Sequence, residues 1–286
     1  MSSDNSLEKV KHLRELTGVG FKDCKAAIDE NNGDIEKSIE YLRKKGIAKA
    51  SKKMERIAAE GLVCISEKDN NFSIIEINSE TDFVAKNNDF ISFVEEISEL
   101  SLVTKGKMEN IVNAVMKNKK KVSENLVSLI AKIGEKITLR RSEYIGSEKK
   151  VNFSYTHSAE KKDLGKIGVL LSLETNKKRD TLLEFGKQLA MHIAASNPLA
   201  LDSDSIDKKV LQKEQELIAE ELKDSGKPVE IAQKISQGKI NKFKEENALL
   251  SQAWVMEPKK KVQEIVKDLS ITDLKIKDFY RLKIGE

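Results

Sequence analysis

Apolar residues at helical spacing mark three short segments at the start of the chain, within residues 6–43. The apolar positions that share a face are Leu7, Val10 and Leu13, then Phe21, Cys24 and Ile28, then Ile35, Ile39 and Leu42. Asn32 and Gly33 are typical of a helix end, and Asp34 is a natural N-cap for the third helix. We predict a three-helix domain over residues 1–43 and a basic linker over residues 44–60.

From Gly61 the pattern changes to short apolar runs that are typical of strands. Two such runs, at residues 62–65 and 74–77, flank a polar turn at residues 68–71, which predicts a β-hairpin. Helical spacing returns from Phe90 to Ile97 and from Val122 to Ile133, where Gly134 ends the helix, and a strand begins at residue 137. These elements predict a first core subdomain over residues 61–145.

A similar series of elements follows in the second half of the chain. Residues 151–157 alternate as on a half-buried strand, and residues 167–174 form another apolar run. We expect Asp180 to cap a helix that ends at Asn197, because the residue before a proline avoids the helical region. Each half of the core, residues 61–145 and residues 146–286, is predicted to contain a hairpin, then a Glu-Thr pair, then a helix with an apolar face. This order predicts a structural duplication, with a second core subdomain over residues 146–286.

The segment from about residue 205 to 247 is charge-rich and carries only a narrow apolar stripe. Such a stripe covers one partner helix and no more, so we predict a protruding antiparallel helical hairpin, or coiled coil, inserted in the second subdomain. A helix near residues 262–269 and a strand over residues 274–284 complete the chain. The predicted class is α+β with antiparallel sheets.

The composition of the chain restricts its expected location and the classes of partner it can bind. The 286 residues are 34% charged, yet 51 Lys and Arg against 47 Asp and Glu leave a net charge of only +4, which favours solvated helix faces over a nucleic-acid groove. Two cysteines without CxxC spacing fit a reducing compartment. The chain shows neither a signal peptide nor the roughly 18 apolar residues of a membrane span. We expect a cytoplasmic protein without cofactor, bound metal, direct nucleic-acid contact or membrane partner.

Candidate catalytic chemistry is sparse. His12, His157 and His192 each stand apart from other metal-ligating residues, and His192 is best explained as a packed core residue. The basic runs at residues 117–121 and 259–261 lack interleaved aromatic residues and are typical of solvated loops. No nucleotide-binding or hydrolase motif occurs, which weakens the interpretation as an enzyme without removing it.

The segment Thr81-Asp82-Phe83-Val84 is the best candidate for a working surface. It follows an apolar strand directly, where the chain must turn. A carboxylate beside a large aromatic ring on a tight turn is suited to enter a pocket of a partner protein. Ordinary packing of Phe83 on the next helix, with Asp82 in the helix cap, explains the same residues equally well.

Several motifs, in order along the chain, resemble those of the translation elongation factor Ts family. Residues 78–87, NSETDFVAKN, resemble the family signature, and residues 13–20, LRELTGVG, resemble the start of its ubiquitin-associated-type (UBA-like) N-terminal domain. The stretches at 131–135, 191–196 and 255–258 (AKIGE, MHIAAS and VMEP) also stand where family motifs occur. The resemblance extends over almost the whole chain.

The resemblance implies guanine nucleotide exchange on elongation factor Tu, the GTPase that carries aminoacyl-tRNA, without covalent chemistry. It implies that Thr81, Asp82, Phe83 and Val84 enter the partner and disturb its magnesium and phosphate site. It further implies a grip on a helix of the partner's G domain through Arg14, Phe21, Lys53, Ile133, Gly134 and His157. The partner is expected in its GDP-bound and nucleotide-free states, and an assembly of two factors with two partners stays open.

Two other functions compete with exchange. The three-helix module on a scaffold would suit recognition of a ubiquitin-like surface, although the motif matches outside residues 6–43 disfavour it. An enzyme would need an acid, base or nucleophile constellation that the sequence does not assemble.

Overall fold

Three N-terminal helices precede a four-stranded, a three-stranded and a two-stranded antiparallel sheet in the computed structural model, which describes residues 2–17, 19–53, 55–148, 150–223 and 228–286. The predicted α+β class is confirmed. The helices of the N-terminal module are α1 (Ser2–Thr17), α2 (Phe21–Glu30) and α3 (Ile35–Lys53). Their shared core contains Val10, Leu13, Cys24, Ala27, Ile28 and Leu42.

The predicted cap of the third helix is confirmed, because the Lys37 N–H donates to Asp34 Oδ1 at 3.0 Å. Other details of the module differ from the prediction. Leu7, Phe21 and Ile39 are exposed, although each shares an apolar helix face with residues that are buried. The segment 44–53, predicted as part of a linker, is helical because α3 continues to Lys53.

The first block carries the predicted hairpin and its helices. Its elements are β1 (Glu60–Lys68), β2 (Asn71–Ser79), α4 (Asp82–Ala85), α5 (Asn88–Val103), α6 (Met108–Asn113), α7 (Val122–Ile133) and β3 (Ile137–Ile145). The two turn residues, Asp69 and Asn70, have φ angles of 51° and 61°. Positive φ at both positions matches the twist of the paired strands, which explains why this polar pair connects them. The short helix α6 was not predicted.

The second block contains the remaining elements. They are β4 (Lys150–His157), β5 (Leu164–Gly165), β6 (Ile167–Glu174), α8 (Leu183–Ser196), α9 (Lys208–Lys223), α10 (Val229–Asn247), β7 (Ala253–Trp254), β8 (Glu257–Lys261), α11 (Val262–Asp268) and β9 (Lys275–Lys283). The prediction for Asp180 is wrong, because it lies inside a 3₁₀ helix, Arg179–Leu182, and Leu182 precedes α8. Asn197 ends α8 as predicted, in a left-handed conformation with φ 45°.

Strand pairing confirms the predicted duplication. The first sheet has the order β3-β2-β1-β5 and the second has the order β4-β6-β9, so each block pairs one central strand, β2 or β6, with the first and the last strand of that block. The register shifts once between the central and the last strand of each block, at residues 76/77 and 172/173. Between the sheets lies an apolar layer of Val63, Ile65, Phe72, Ile74, Ile145, Leu170 and Leu282. Helix α5 covers the first sheet from outside and α8 covers the second.

The predicted helical hairpin is formed by α9 and α10, which contact each other along their length. Glu221 and Lys239 form an ion pair across the two helices, with 2.6 Å between Oε2 and Nζ. The chain enters and leaves the hairpin through a neck of backbone hydrogen bonds, from the Leu199 N–H to the Asn247 carbonyl (2.8 Å) and from the Leu249 N–H to the Ala200 carbonyl (2.9 Å). Residues 224–227, between α9 and α10, lie outside the described residues.

Candidate functional site

The loop between β2 and α5 is held in shape by hydrogen bonds of its own side chains. The Ser79 hydroxyl donates to the Thr81 carbonyl at 2.9 Å. Thr81 is extended, with φ −126° and ψ 158°, and leads into the four-residue helix α4. At the far end, Asn87 Oδ1 caps α5 by accepting the N–H groups of Asp89 (2.9 Å) and Phe90 (3.3 Å). The loop therefore has a defined start and a defined end.

Two carboxylates fasten this loop to the turn between α7 and β3. Glu135 accepts the Thr81 N–H on Oε2 at 3.0 Å and the Thr81 hydroxyl on Oε1 at 2.8 Å. In return, Glu80 Oε1 accepts the backbone N–H of Lys136. Each segment thus supplies a carboxylate to the backbone of the other, and we call these contacts the reciprocal clamp. Hydrogen bonds to ionised acceptors are stronger than those between neutral groups.

The surroundings of Glu80 favour its charged form. Burial alone would raise the pKa of Glu80, but hydrogen bonds from the Lys136 backbone and from the Arg56 guanidinium outweigh it and lower the pKa. Arg56 Nη1 lies 3.2 Å from Glu80 Oε2. Glu80 therefore stays ionised at neutral pH as part of the clamp.

Within the loop, Phe83 points away from the protein while its neighbours anchor it. Val84 and Ala85 are buried in the core of the first block, whereas Phe83 is 80% exposed. Packing of Phe83 on the next helix, the alternative interpretation, is therefore wrong. The Asp82 carboxylate is about half exposed, and its nearest cation, Lys86 Nζ, lies 3.8 Å away. The fold thus presents a large aromatic ring and a solvated carboxylate side by side.

The end of α7 lies beside this loop because the reciprocal clamp joins them. Gly134 ends α7 with φ 90°, a left-handed conformation that favours glycine, and its N–H donates to the Ile130 carbonyl at 2.9 Å. Lys53 Nζ lies 3.7 Å from the point where a Cβ on Gly134 would stand. The structure therefore brings together Thr81–Val84, Ile133–Gly134 and Lys53.

Three other predicted residues lie elsewhere. Arg14 is in the last turn of α1 and Phe21 begins α2, so both stand at the same end of the N-terminal module and both are exposed. His157 ends β4 in the second sheet, where its Nδ1 lies 3.0 Å from the Tyr155 hydroxyl. The predicted residues thus form one cluster around Phe83 and two separate surfaces.

Contacts between α3 and α7 connect the N-terminal module to the first block. Arg43 Nη2 lies 2.8 Å from Glu124 Oε1. Gly46 approaches Ala131 so closely that a Cβ on Gly46 would stand 3.1 Å from the Ala131 Cβ. Sequence reasoning did not find this contact, nor the roles of Glu80, Glu135 and Arg56. The available signals were the places of Glu80 in the motif at residues 78–87 and of Glu135 in the motif at residues 131–135.

Three side chains with reactive groups, Cys24, Cys64 and His192, are buried. Both cysteines are buried and free, and burial raises the pKa of the Cys64 thiol to about 11, so this thiol is protonated at neutral pH. His192 is buried against Trp254, with 5.2 Å between ring centroids, and its Nε2 lies 3.0 Å from Gln252 Oε1. Over the described ranges, metal-ligating side chains do not gather in groups of three, and a membrane-spanning helix is not found.

Comparison with known proteins agrees with the resemblance of residues 78–87. A family model described as Elongation factor TS matches residues 80–286, well over half of the chain. The chain belongs to the elongation factor Ts family. Proteins named elongation factor Ts from Bartonella tribocorum and Caulobacter vibrioides are 43% and 42% identical to it, each over 97% of this chain and over 92% and 91% of their own lengths. The elongation factor Ts of Maricaulis maris is 40% identical over 97% of the chain. Family membership places the chain among factors of translation elongation.

Proposed function

We propose that this chain is a guanine nucleotide exchange factor that binds elongation factor Tu and accelerates the release of GDP, so that GTP can load. It makes and breaks no covalent bond. The observation that carries the proposal is the exposure of Phe83 on a loop fixed at both ends, in a chain of the elongation factor Ts family. The proposed partner is Tu in its GDP-bound and nucleotide-free forms, met in the cytoplasm without direct contact to nucleic acid.

The working part is the segment Thr81–Val84. Phe83 enters the partner near its nucleotide, and the Asp82 carboxylate competes for the polar network around the magnesium ion and the phosphates. An exposed ring on a rigid support is well suited to this, because little order is lost on binding. Val84, buried beneath the loop, fixes the depth from which the ring projects.

Exchange follows from linkage between two binding events. If the exchange factor binds nucleotide-free Tu more tightly than Tu·GDP by a given ratio, then GDP must bind the complex of Tu with the exchange factor more weakly than free Tu by the same ratio. A thousandfold weakening of GDP requires about 4 kcal/mol of coupling. Burial of one aromatic side chain contributes about 1.5–3 kcal/mol, so Phe83 supplies a large share and other contacts supply the rest.

The other contacts are the proposed grip on the G domain. Ile133, Gly134 and Lys53 lie beside the loop and extend its surface. Arg14 and Phe21 form a second contact on the N-terminal module, and His157 forms a third. Because α3 packs on α7, the N-terminal module is fixed to the block that carries the loop, so the first two contacts are presented to the partner together.

The test is the release of fluorescent GDP from purified Tu, measured by stopped flow with and without this protein. We expect strong acceleration, and we expect the double variant Asp82→Ala/Phe83→Ala to lose most of it. A Lys86→Ala variant is the matched control, because it changes the ion pair of Asp82 and leaves the ring in place. No acceleration by the unmodified protein would refute the exchange function. Full activity of the double variant would refute the role of the loop. Sedimentation of the complex would settle whether it contains two factors and two partners.

A further inference from the structure

The second block has a counterpart to one half of the reciprocal clamp. Glu174 ends β6 and Thr175 follows it, and Asp273 stands two residues before β9, as Glu135 stands two residues before β3. Asp273 Oδ2 accepts the Asn176 N–H at 2.6 Å and the Thr175 hydroxyl at 3.3 Å. In both blocks, therefore, a carboxylate from the segment before the last strand accepts the threonine hydroxyl of the Glu-Thr pair and a backbone N–H at or next to that threonine.

The two fastened segments carry different tips. In the first block Thr81 leads to Asp82 and Phe83, whereas in the second block Thr175 leads to Lys177 and Lys178, which are exposed and carry no ring. The fastening is thus common to both halves, and the aromatic projection belongs to one. The chain thus contains an internal comparison, in which a carboxylate accepts the threonine hydroxyl and a nearby backbone N–H both with and without the proposed working residue.

We propose that Glu135 is a positioning residue for exchange, which acts through Thr81 to hold Phe83 in its binding orientation before the partner arrives. This inference rests on the proposed exchange function. Phe83 is 80% exposed, so packing does little to fix it. Helix α4 has only four residues and its N-cap, Thr81, makes no side-chain hydrogen bond within the helix. Val84 and Ala85 anchor the loop in the core, and the two bonds from Glu135 fix Thr81, the residue at which the chain turns into α4.

Loss of these bonds should lower the maximal rate of GDP release more than it weakens binding to the partner. The grip residues hold the partner while the loop samples its orientations, and release of GDP proceeds only from the fraction in which the ring is aligned. In Glu135→Ala we expect the maximal rate of GDP release to fall roughly tenfold, as for the loss of about 1.4 kcal/mol, while the half-saturating concentration changes less than about threefold.

Two variants separate positioning from general stability. Glu135→Gln can still accept the Thr81 N–H on Oε1 and can donate from Nε2 to the Thr81 hydroxyl, so we expect it to recover most of the rate. Asp273→Ala removes the equivalent carboxylate from the second block and should leave the maximal rate within twofold of the original protein. Melting temperatures of all three variants report the structural cost, and hydrogen exchange of the Thr81 amide reports the clamp directly.

The outcomes are distinct. Equal slowing by Glu135→Ala and Asp273→Ala, or a Glu135→Ala rate within twofold of the original, overturns the positioning role. A Glu135→Gln variant with restored stability and protected Thr81 amide but a slow rate also overturns it, because the charge itself would then be required. If the unmodified protein does not accelerate GDP release, the proposed function fails first and the positioning role with it. Should Glu135→Ala not fold, Thr81→Val, which removes one of the two bonds, carries the test and should slow release by roughly threefold.

Discussion

The change Phe83→Ala isolates the contribution of a single ring. A phenylalanine side chain that is 80% exposed has roughly 150 Å² to bury in a partner, which at about 25 cal/mol per Å² corresponds to about 4 kcal/mol. Alanine keeps part of this area, and ordering costs reduce the remainder. We expect a net loss of about 2–3 kcal/mol, or roughly 30- to 150-fold in the efficiency of GDP release.

The same exposure makes the variant a clean probe, because a ring outside the core contributes little to folding. The free energy of unfolding of Phe83→Ala should stay within about 0.5 kcal/mol of the original. Val103, which is 78% exposed at the end of α5, provides the matched control, and Val103→Ala should leave GDP release unchanged. Stopped-flow release of fluorescent GDP and urea denaturation measure the two quantities. An efficiency within threefold of the original would refute the reasoning from exposed area.

Three further predictions concern the scaffold. Gly61→Ala should cost more than about 3 kcal/mol in urea denaturation, because its Cβ would stand 2.1 Å from the Ile77 carbonyl oxygen at φ 130°; an unchanged midpoint would contradict this. Glu76→Ala should lower the free energy of unfolding by about 2 kcal/mol, since it removes a fully buried carboxylate from two arginines that are each more than a third exposed; a loss below about 0.5 kcal/mol would speak against a stabilising interaction. Burial lowers the pKa of His192 below its unfolded value of 6.5, although Gln252 opposes the shift, so the contribution of His192 is complete above pH 6.5 and is lost as pH falls towards the folded pKa. His192→Gln should flatten that dependence in denaturation curves measured between pH 7 and 5, and an equal slope in both proteins would contradict the assignment.

Periodicity predicted the order of the major elements, because each depends on residues close in sequence. The β1–β2 hairpin is an example, since Asp69 and Asn70 select their turn locally. Strand β5 could not be predicted in the same way. Its two residues, Leu164 and Gly165, pair with β1 of the other block, about a hundred positions earlier in the chain. Pairing at that distance leaves no local pattern.

In the candidate site, too, features that depend on neighbouring residues could be predicted, and features that depend on distant residues could not. The Asp82 carboxylate and the Phe83 ring are visible in the sequence as an unusual pair at the end of a strand. Their support is not visible, because Glu135 lies 54 positions beyond Thr81 and Arg56 lies 24 positions before Glu80. Glu76 was hidden for a related reason. It occupies an inward position of β2 and is neutralised by Arg140 and Arg141 of β3, so its burial depends on the neighbouring strand.

The neck of the helical hairpin affects which insertions the chain can accept during evolution. Ala200 and Ala248 face each other in a parallel bridge at the point where the hairpin leaves the core, and Ala200, Ile206 and Ala248 seal the space beneath it. The contacts at this junction do not involve the outer parts of α9 and α10. We therefore expect that helices of other lengths, or another domain whose ends lie equally close, can replace the hairpin without changing the sheets that carry the loop.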